Sequence, residues 1–300
     1  WGAQQLDAFP GKRVEGVFGM WYGKGPGVDR SGDALRAANT MGTNALGGVL
    51  AVAGDDHGAH SSTYPHQTEQ VFEGAMIPVL VPGSVADIVS LGLAGIALSR
   101  ASGLWTALKT TAEIAEQAAT VIVPSTYRFA LPELPPLDHP RGFDPSLRHP
   151  RDRAVLERRL YEERLPAALA FARANGLDRL MHGKNDAEIG IVTVGKAHMD
   201  TMRALDMLGL RRSPEIAVYK IALAWPIEAE GIRDFARGKR LLIVVEEKRS
   251  FVEQQIRAAL YNLPADIRPP IAGKTALDGS PLVTPLLELT PEITAGALSR

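Results

Sequence analysis

The apolar positions of this chain fall into two alternating periods. Short unbroken apolar runs, bounded by glycine, proline or polar clusters, occur at residues 14–21, 49–53, 77–81, 104–109, 189–194, 216–224 and 241–245. Runs of that length and setting predict strands buried on both faces. Between them, apolar residues recur every three to four positions, the spacing of a helix with one side inward. That pattern covers 29–41, 67–76, 197–208 and 251–262, and a stretch from Ser84, a residue suited to capping, to Ser102. In the last of these, Val85, Ile88, Val89, Leu91, Ile96 and Leu98 give a broad apolar side. Gly209 is placed to end the helix over 197–208. Strand and helix in alternation predict an α/β protein with a mostly parallel sheet and helices on both faces.

The alternation is interrupted once. Pro124, Pro132, Pro135, Pro136, Pro140, Pro145 and Pro150 crowd residues 124–150. Each removes a backbone donor and fixes φ, so this stretch predicts a linker. The expected plan is two doubly wound, mostly parallel open-sheet domains. The first covers 1–123, followed by the Pro-rich linker 124–150 and a helical connection 151–184 broken at Pro166. A smaller α/β domain covers 185–275, and 276–300 forms a tail. A length of 300 residues is in keeping with two domains.

Composition narrows the partners. Hydrophobic residues make up 45% and the net charge is -1, which gives no electrostatic case for nucleic acid or a membrane surface. No apolar run approaches the ~18 residues that a membrane-spanning helix needs. The chain has no cysteine, which excludes disulfides and iron–sulfur ligation by its own thiolates and fits a cytoplasmic setting. It opens on Trp1 rather than Met, and reads as an internal fragment of a longer protein.

Candidate chemistry gathers in two glycine-rich stretches. In GKGPGVDRSGD, Gly23, Gly25 and Gly27 allow a ligand close to the backbone, just ahead of a helix start. A tight strand-to-helix turn explains the same residues. In AVAGDDHGAHSS, Asp55, Asp56 and His57 stand where a buried strand ends, the place where parallel sheets bind ligands. Carboxylates capping neighbouring helices are the plainer alternative. Asp55, His57, His60 and His66 also permit a metal site, and with it a metal-dependent hydrolase. Glu246 and Glu247 precede a helix and read as N-terminal carboxylates. The arginine-rich stretch 148–164, with mixed charges, reads as a solvated face.

Four blocks together, FGMWYGKGPGVDRSGD, GGVLAVAGDDHGAHSSTYPHQTE, VYKIALAWPIEAEGIRDFA and LLIVVEEKRSFVEQQI, resemble indolepyruvate ferredoxin oxidoreductase, most of all its long single-chain bacterial form. The resemblance implies a thiamine-diphosphate enzyme that oxidatively decarboxylates 2-oxoacids such as indolepyruvate. Electrons would pass through iron–sulfur clusters to ferredoxin, and the acyl group to coenzyme A. It makes 1–123 part of a pyrimidine-binding domain and 185–275 a transketolase C-terminal-like domain. It casts Lys24 and His57 as catalytic candidates, Lys24 for the 2-oxoacid carboxylate and His57 for a proton relay. Gly23, Gly25, Gly27, Asp55 and Asp56 become cofactor-facing.

The family's ring-binding glutamate falls before Trp1. The Gly54-Asp55-Asp56 run imitates the family's magnesium-diphosphate motif, but no Asn follows between Asn44 and Asn175. The resemblance therefore implies that magnesium, diphosphate and clusters are held by other domains or subunits of a parent enzyme, itself a homo-oligomer. Trp21, Tyr22 and Trp105 are candidates for an aryl pocket, with aromatic core packing an equal alternative, and a non-catalytic assembly module is the remaining alternative for the function.

Overall fold

The structure, a computed structural model, describes residues 2–300; Trp1, from which the fragment reading starts, lies outside the described residues. The chain opens with a 3-10 turn at Gly2–Ala8, then β1 (Gly19–Lys24), α1 (Gly25–Met41), β2 (Val49–Asp55), α2 (Glu69–Gly74), β3 (Val79–Leu80), α3 (Val85–Ser102), β4 (Thr106–Thr111) and α4 (Ala112–Ala115). After the proline-rich segment come α5 (Arg153–Arg159), α6 (Leu165–Ala174), β5 (Arg179–His182), β6 (Ile189–Val194) and α7 (Ala197–Met207). Then follow β7 (Ile216–Ile221), β8 (Leu223–Trp225), α8 (Ala229–Ala236), β9 (Leu241–Val245), α9 (Val252–Tyr261), β10 (Ile271–Ala272) and α10 (Pro291–Leu298).

These strands form two five-stranded sheets, ordered β1-β2-β4-β3-β8 and β10-β9-β6-β7-β5. Every pairing is parallel except the two edges, where β8 runs against β3 and β5 against β7. The α/β class and the two mostly parallel sheets are thus as the apolar runs imply. The centres of both sheets are apolar on both faces: Ala51, Ala53, Val79, Leu80 and Ala107 in the first, Ile191, Val192, Val218, Leu242 and Val244 in the second. Burying each Val or Leu fully contributes roughly 1.5–3 kcal/mol.

Several boundaries move for identifiable reasons. The first strand starts at Gly19, and α1 begins at Gly25 rather than at Asp29. Pro26 in its first turn carries the φ a helix start needs and no donor to leave unpaired. The run 216–224, expected as one strand, is divided between the two sheets. The Asp178 carboxylate accepts from the Ala222 and Leu223 backbone N–H groups at 2.7 and 2.9 Å, fixing the bend where the chain changes sheets. Burial pushes the Asp178 carboxyl up to about 7.

The expectation of no apolar stretch of spanning length is corrected by α3. Its 18 residues are long and apolar enough, by length and composition alone, to cross a bilayer. Here it packs on β2, β4 and α6. Ser84 caps it by accepting from the Asp87 N–H, and Gly103, at φ 77°, ends it.

The arginine-rich stretch is not a solvated face throughout. Arg164 is 0% exposed, and Arg159 pairs with Asp144 at 2.8 Å. The Arg164 guanidinium donates to the carbonyls of Thr40 (2.8 Å), Asn39 (3.3 Å), Arg141 (2.7 Å) and Gly142 (2.9 Å). It therefore fastens the proline-rich segment to the end of α1. A Cβ on Gly142 would lie 2.0 Å from the Thr43 carbonyl oxygen, so only glycine permits this approach. Residues 116–152 hold no helix or strand among the described residues.

Candidate functional site

The carboxyl ends of parallel strands from both sheets face one another, and the residues at those ends are charged. On the first sheet, β2 ends in Asp55 and β4 carries Lys109 one turn of the pleat from its end. On the second, Gly195 and Lys196 follow β6, and Glu246 and Glu247 follow β9. Strands buried on both faces carry their side chains into core until they stop. The first polar residues at each stop are thus presented together in the gap.

The two aspartates shape the loop after β2. Asp55 Oδ2 accepts from the Thr68 N–H (3.0 Å) and hydroxyl (3.2 Å), closing the loop at its far end. Asp56 accepts from the His60 and Ser61 N–H groups at 2.8 and 2.7 Å, turning it at its near end. Burial raises the Asp55 carboxyl. For Asp56 burial acts upward too, but the backbone donors outweigh it and hold the group at about 2. Lys24 closes the same loop from outside, its ammonium donating to the Ser61 carbonyl and to Ser61 Oγ.

His57 lies at the centre, only 1% exposed. Its Nδ1 is 2.7 Å from Glu247 Oε2, and its Nε2 is 3.1 Å from Lys109 Nζ. Lys109 donates to Glu69 Oε1 at 2.9 Å and lies 3.7 Å from Asp55. Burial opposes its charge, but Glu69, Asp55 and Glu247 outweigh that and raise the group above the ordinary lysine range. On the other side, Lys196 bonds Asp200 at 2.7 Å and stands 3.7 Å from Glu247 Oε1. Burial would raise Glu247; the His57 hydrogen bond and the two ammoniums prevail and hold it at about 2. Lys109, Glu69, Lys196 and Glu247, with apolar residues such as Val81 and Phe251, also line a small cavity between the sheets.

The remaining candidates do not join this cluster. His60 is at the surface, 3.3 Å from Glu288, and His66 lies 3.8 Å from Asp29 with its ring against Gly25. Among the described residues no three His, Asp or Glu side chains form a metal-holding group, so the tetrad of Asp55, His57, His60 and His66 is not one centre. The four side chains point to different neighbours: Asp55 accepts from Thr68, His57 lies buried between Glu247 and Lys109, His60 pairs with Glu288 at the surface, and His66 turns to Asp29.

Gly23 lies beneath the Trp21 ring, while nothing stands within 4 Å of a Cβ placed on Gly27. Trp105 is buried in core and Tyr22 is 81% exposed, so the three aromatic candidates line no common pocket. A magnesium-bound diphosphate needs free oxygen ligands. Asp55 is buried with Oδ2 committed to Thr68, and Asp56 is committed to the loop backbone. The acidic residues here do not fit that group.

Lys109, Glu69 and Lys196 went unread in the sequence. A lysine at the end of an otherwise apolar strand, as at Lys109, is the usable signal, because lysine is almost never fully buried without a partner. Glu247 was visible only as a helix-start carboxylate. Its neighbour Glu246 is the one that takes that part, accepting from the Phe251, Val252 and Glu253 N–H groups.

A profile of the indolepyruvate oxidoreductase domain matches residues 179–300. The chain is similar to the indolepyruvate oxidoreductases. It is 26% identical over 275 residues to indolepyruvate oxidoreductase subunit IorA of Methanothermobacter thermautotrophicus, covering 92% of this chain and 42% of that protein. Against IorA of Pyrococcus abyssi the identity is 24% over 292 residues, covering 95% and 42%. The chain thus spans about two fifths of the length of these curated relatives. The fold is shared with a 2-oxoglutarate:ferredoxin oxidoreductase from Magnetococcus marinus, at a TM-score of 0.60 and 17% identity, over 98% of this chain and 54% of that one.

Proposed function

We propose that this chain is part of a thiamine-diphosphate-dependent 2-oxoacid:ferredoxin oxidoreductase acting on indolepyruvate or a related arylpyruvate. The observation that carries the reading is the likeness to IorA proteins across both sheets rather than across one motif. The first sheet corresponds in this reading to the pyrimidine-binding type of domain, and the second to the transketolase C-terminal-like type. The cofactor supplies the electron sink for decarboxylation. Its diphosphate, its magnesium and the iron–sulfur clusters belong to the rest of the parent protein in this reading, since Asp56 is committed to its loop, Asp55 is buried with Oδ2 on Thr68 and only Oδ1 unpaired, and the chain has no cysteine.

This chain contributes one wall. Lys24, exposed at the end of β1, is the cation proposed to meet the substrate carboxylate, with Gly23, Gly25 and Gly27 beside it. The buried cluster around His57 acts behind that wall. It keeps the loop 57–67 in place and closes the gap between the sheets to water.

The test uses the whole protein: reduction of a low-potential viologen dye by indolepyruvate, with and without thiamine diphosphate and coenzyme A. Turnover that needs both supports the reading; turnover that persists after complete removal of thiamine diphosphate contradicts it. Titration of this chain alone with magnesium and thiamine diphosphate gives no heat of tight binding. A tight isotherm would refute the assignment of the anchor to other domains. Lys24→Ala in the whole protein raises KM for the 2-oxoacid by about ten-fold or more. An unchanged KM and kcat removes Lys24 from the site.

A further inference from the structure

Glu247 stands where the two sheets depend on each other. Its Oε2 faces His57 Nδ1 at 2.7 Å, on the loop of the first sheet. Its Oε1 accepts from the Leu289 N–H at 3.0 Å, on the segment leading to α10. The next residue, Lys248, donates to the His57 carbonyl at 3.1 Å and to the Leu287 carbonyl at 3.0 Å. The Arg249 N–H reaches Gln67 Oε1 at 3.3 Å, at the other end of the same loop. Three consecutive residues after β9 therefore grip residues 57–67 at both ends.

The hydrogen positions on His57 follow from its neighbours. Lys109 Nζ, 3.1 Å from Nε2, is an ammonium with donors and no acceptor. It lies between Glu69 and Asp55, which keep it charged. Nε2 must therefore offer its lone pair. A proton on Nε2 would set donor against donor beside a second positive charge. Nδ1 faces a carboxylate oxygen and must carry the hydrogen. The ring is neutral, with a single tautomer.

We propose that Glu247 is a positioning residue: from the end of β9 it holds His57 as the neutral tautomer protonated on Nδ1, and with Lys248 and Arg249 it makes the second sheet set the position of the loop 57–67 on the first. What that loop serves rests on the proposed reaction; the tautomer and the grip do not, so the two readings fail separately.

The experiment reads imidazole nitrogens by long-range proton–nitrogen correlation in the labelled chain at neutral pH, with His57 assigned by loss of its signals in His57→Gln. The expected spectrum has a protonated Nδ1 and an unprotonated Nε2. A proton on Nε2, or on both nitrogens, overturns the proposal without any further variant. Hydrogen exchange then tests the grip. Glu247→Ala speeds amide exchange of residues 57–67 about ten-fold or more while α3 amides keep their rates. Glu247→Gln, whose single amide oxygen can still accept from Nδ1–H but leaves the Leu289 N–H facing an amide donor, speeds exchange of residues 57–67 less than Glu247→Ala does. Unchanged loop exchange in Glu247→Ala overturns the grip. Equal acceleration across the chain does so too, because Glu247 would then be a general stabiliser.

Discussion

Two irregular segments, 56–68 and 116–152, are both fastened to the first sheet by buried cations, yet the cations see opposite chemistry. Arg164 donates to four backbone carbonyls, which never titrate. Lys109 is surrounded by His57 and by the carboxyls of Glu69 and Asp55, which gain or lose a proton. The arginine clamp closes an architectural seam by satisfying carbonyls that would otherwise be buried unpaired. The lysine cluster holds its loop through charges that respond to pH and to whatever approaches the gap. Architecture and responsiveness are thus separated along the chain.

The comparison breaks most sharply at Lys109. Lys109→Met leaves Glu69 and Asp55 facing each other without a cation and should cost about 3–5 kcal/mol of unfolding free energy by denaturant titration. Arg164→Met strands four carbonyls and is expected to cost about 2–4 kcal/mol, with little change in pH dependence. If the two variants show the same pH profile, the proposed difference between the segments is wrong.

Acid and base act on different buried carboxyls. Glu247 is depressed from 4.5 to about 2, so its contribution is complete above about 4.5 and is lost as pH falls toward 2. Asp178 is raised from 3.8 to about 7, so the folded chain holds that proton more tightly, and stability declines as pH rises from about 4 to about 7. Asp178→Asn keeps the carbonyl that accepts from Ala222 and Leu223 but cannot ionise. It should remove on the order of 1–3 kcal/mol of that decline, read as a flatter stability profile between pH 4 and 7. The smallest effect belongs to the open end of β1. Tyr22→Ser, at an exposed position, should change stability by no more than about 0.5 kcal/mol.

Much of the fold was legible because strands buried on both faces leave unbroken apolar runs, as at Val49–Asp55 and Leu241–Val245. The division of 216–224 between sheets was not, because the apolar pattern continues across the bend and the cause, Asp178, lies some forty residues earlier. The site was legible in half. Asp55, Asp56 and His57 stand together in sequence after a strand. Their partners Lys109, Lys196 and Glu247 come from three other strand ends; only Lys109, set in an apolar strand, carries a local signal, while Lys196 and Glu247 look like a solvated lysine and a helix-start glutamate. Arg164 was read as exposed for a similar reason: its neighbours Glu162 and Glu163 give a polar texture that hides a side chain turned inward.

The His57–Glu247 pair links the two sheets directly. A double-mutant cycle of His57→Ala and Glu247→Ala, read by denaturant unfolding near neutral pH, measures that link. A coupling of about 1.5 kcal/mol or more is predicted. A coupling below about 0.5 kcal/mol would mean that the sheets meet at this point without depending on it.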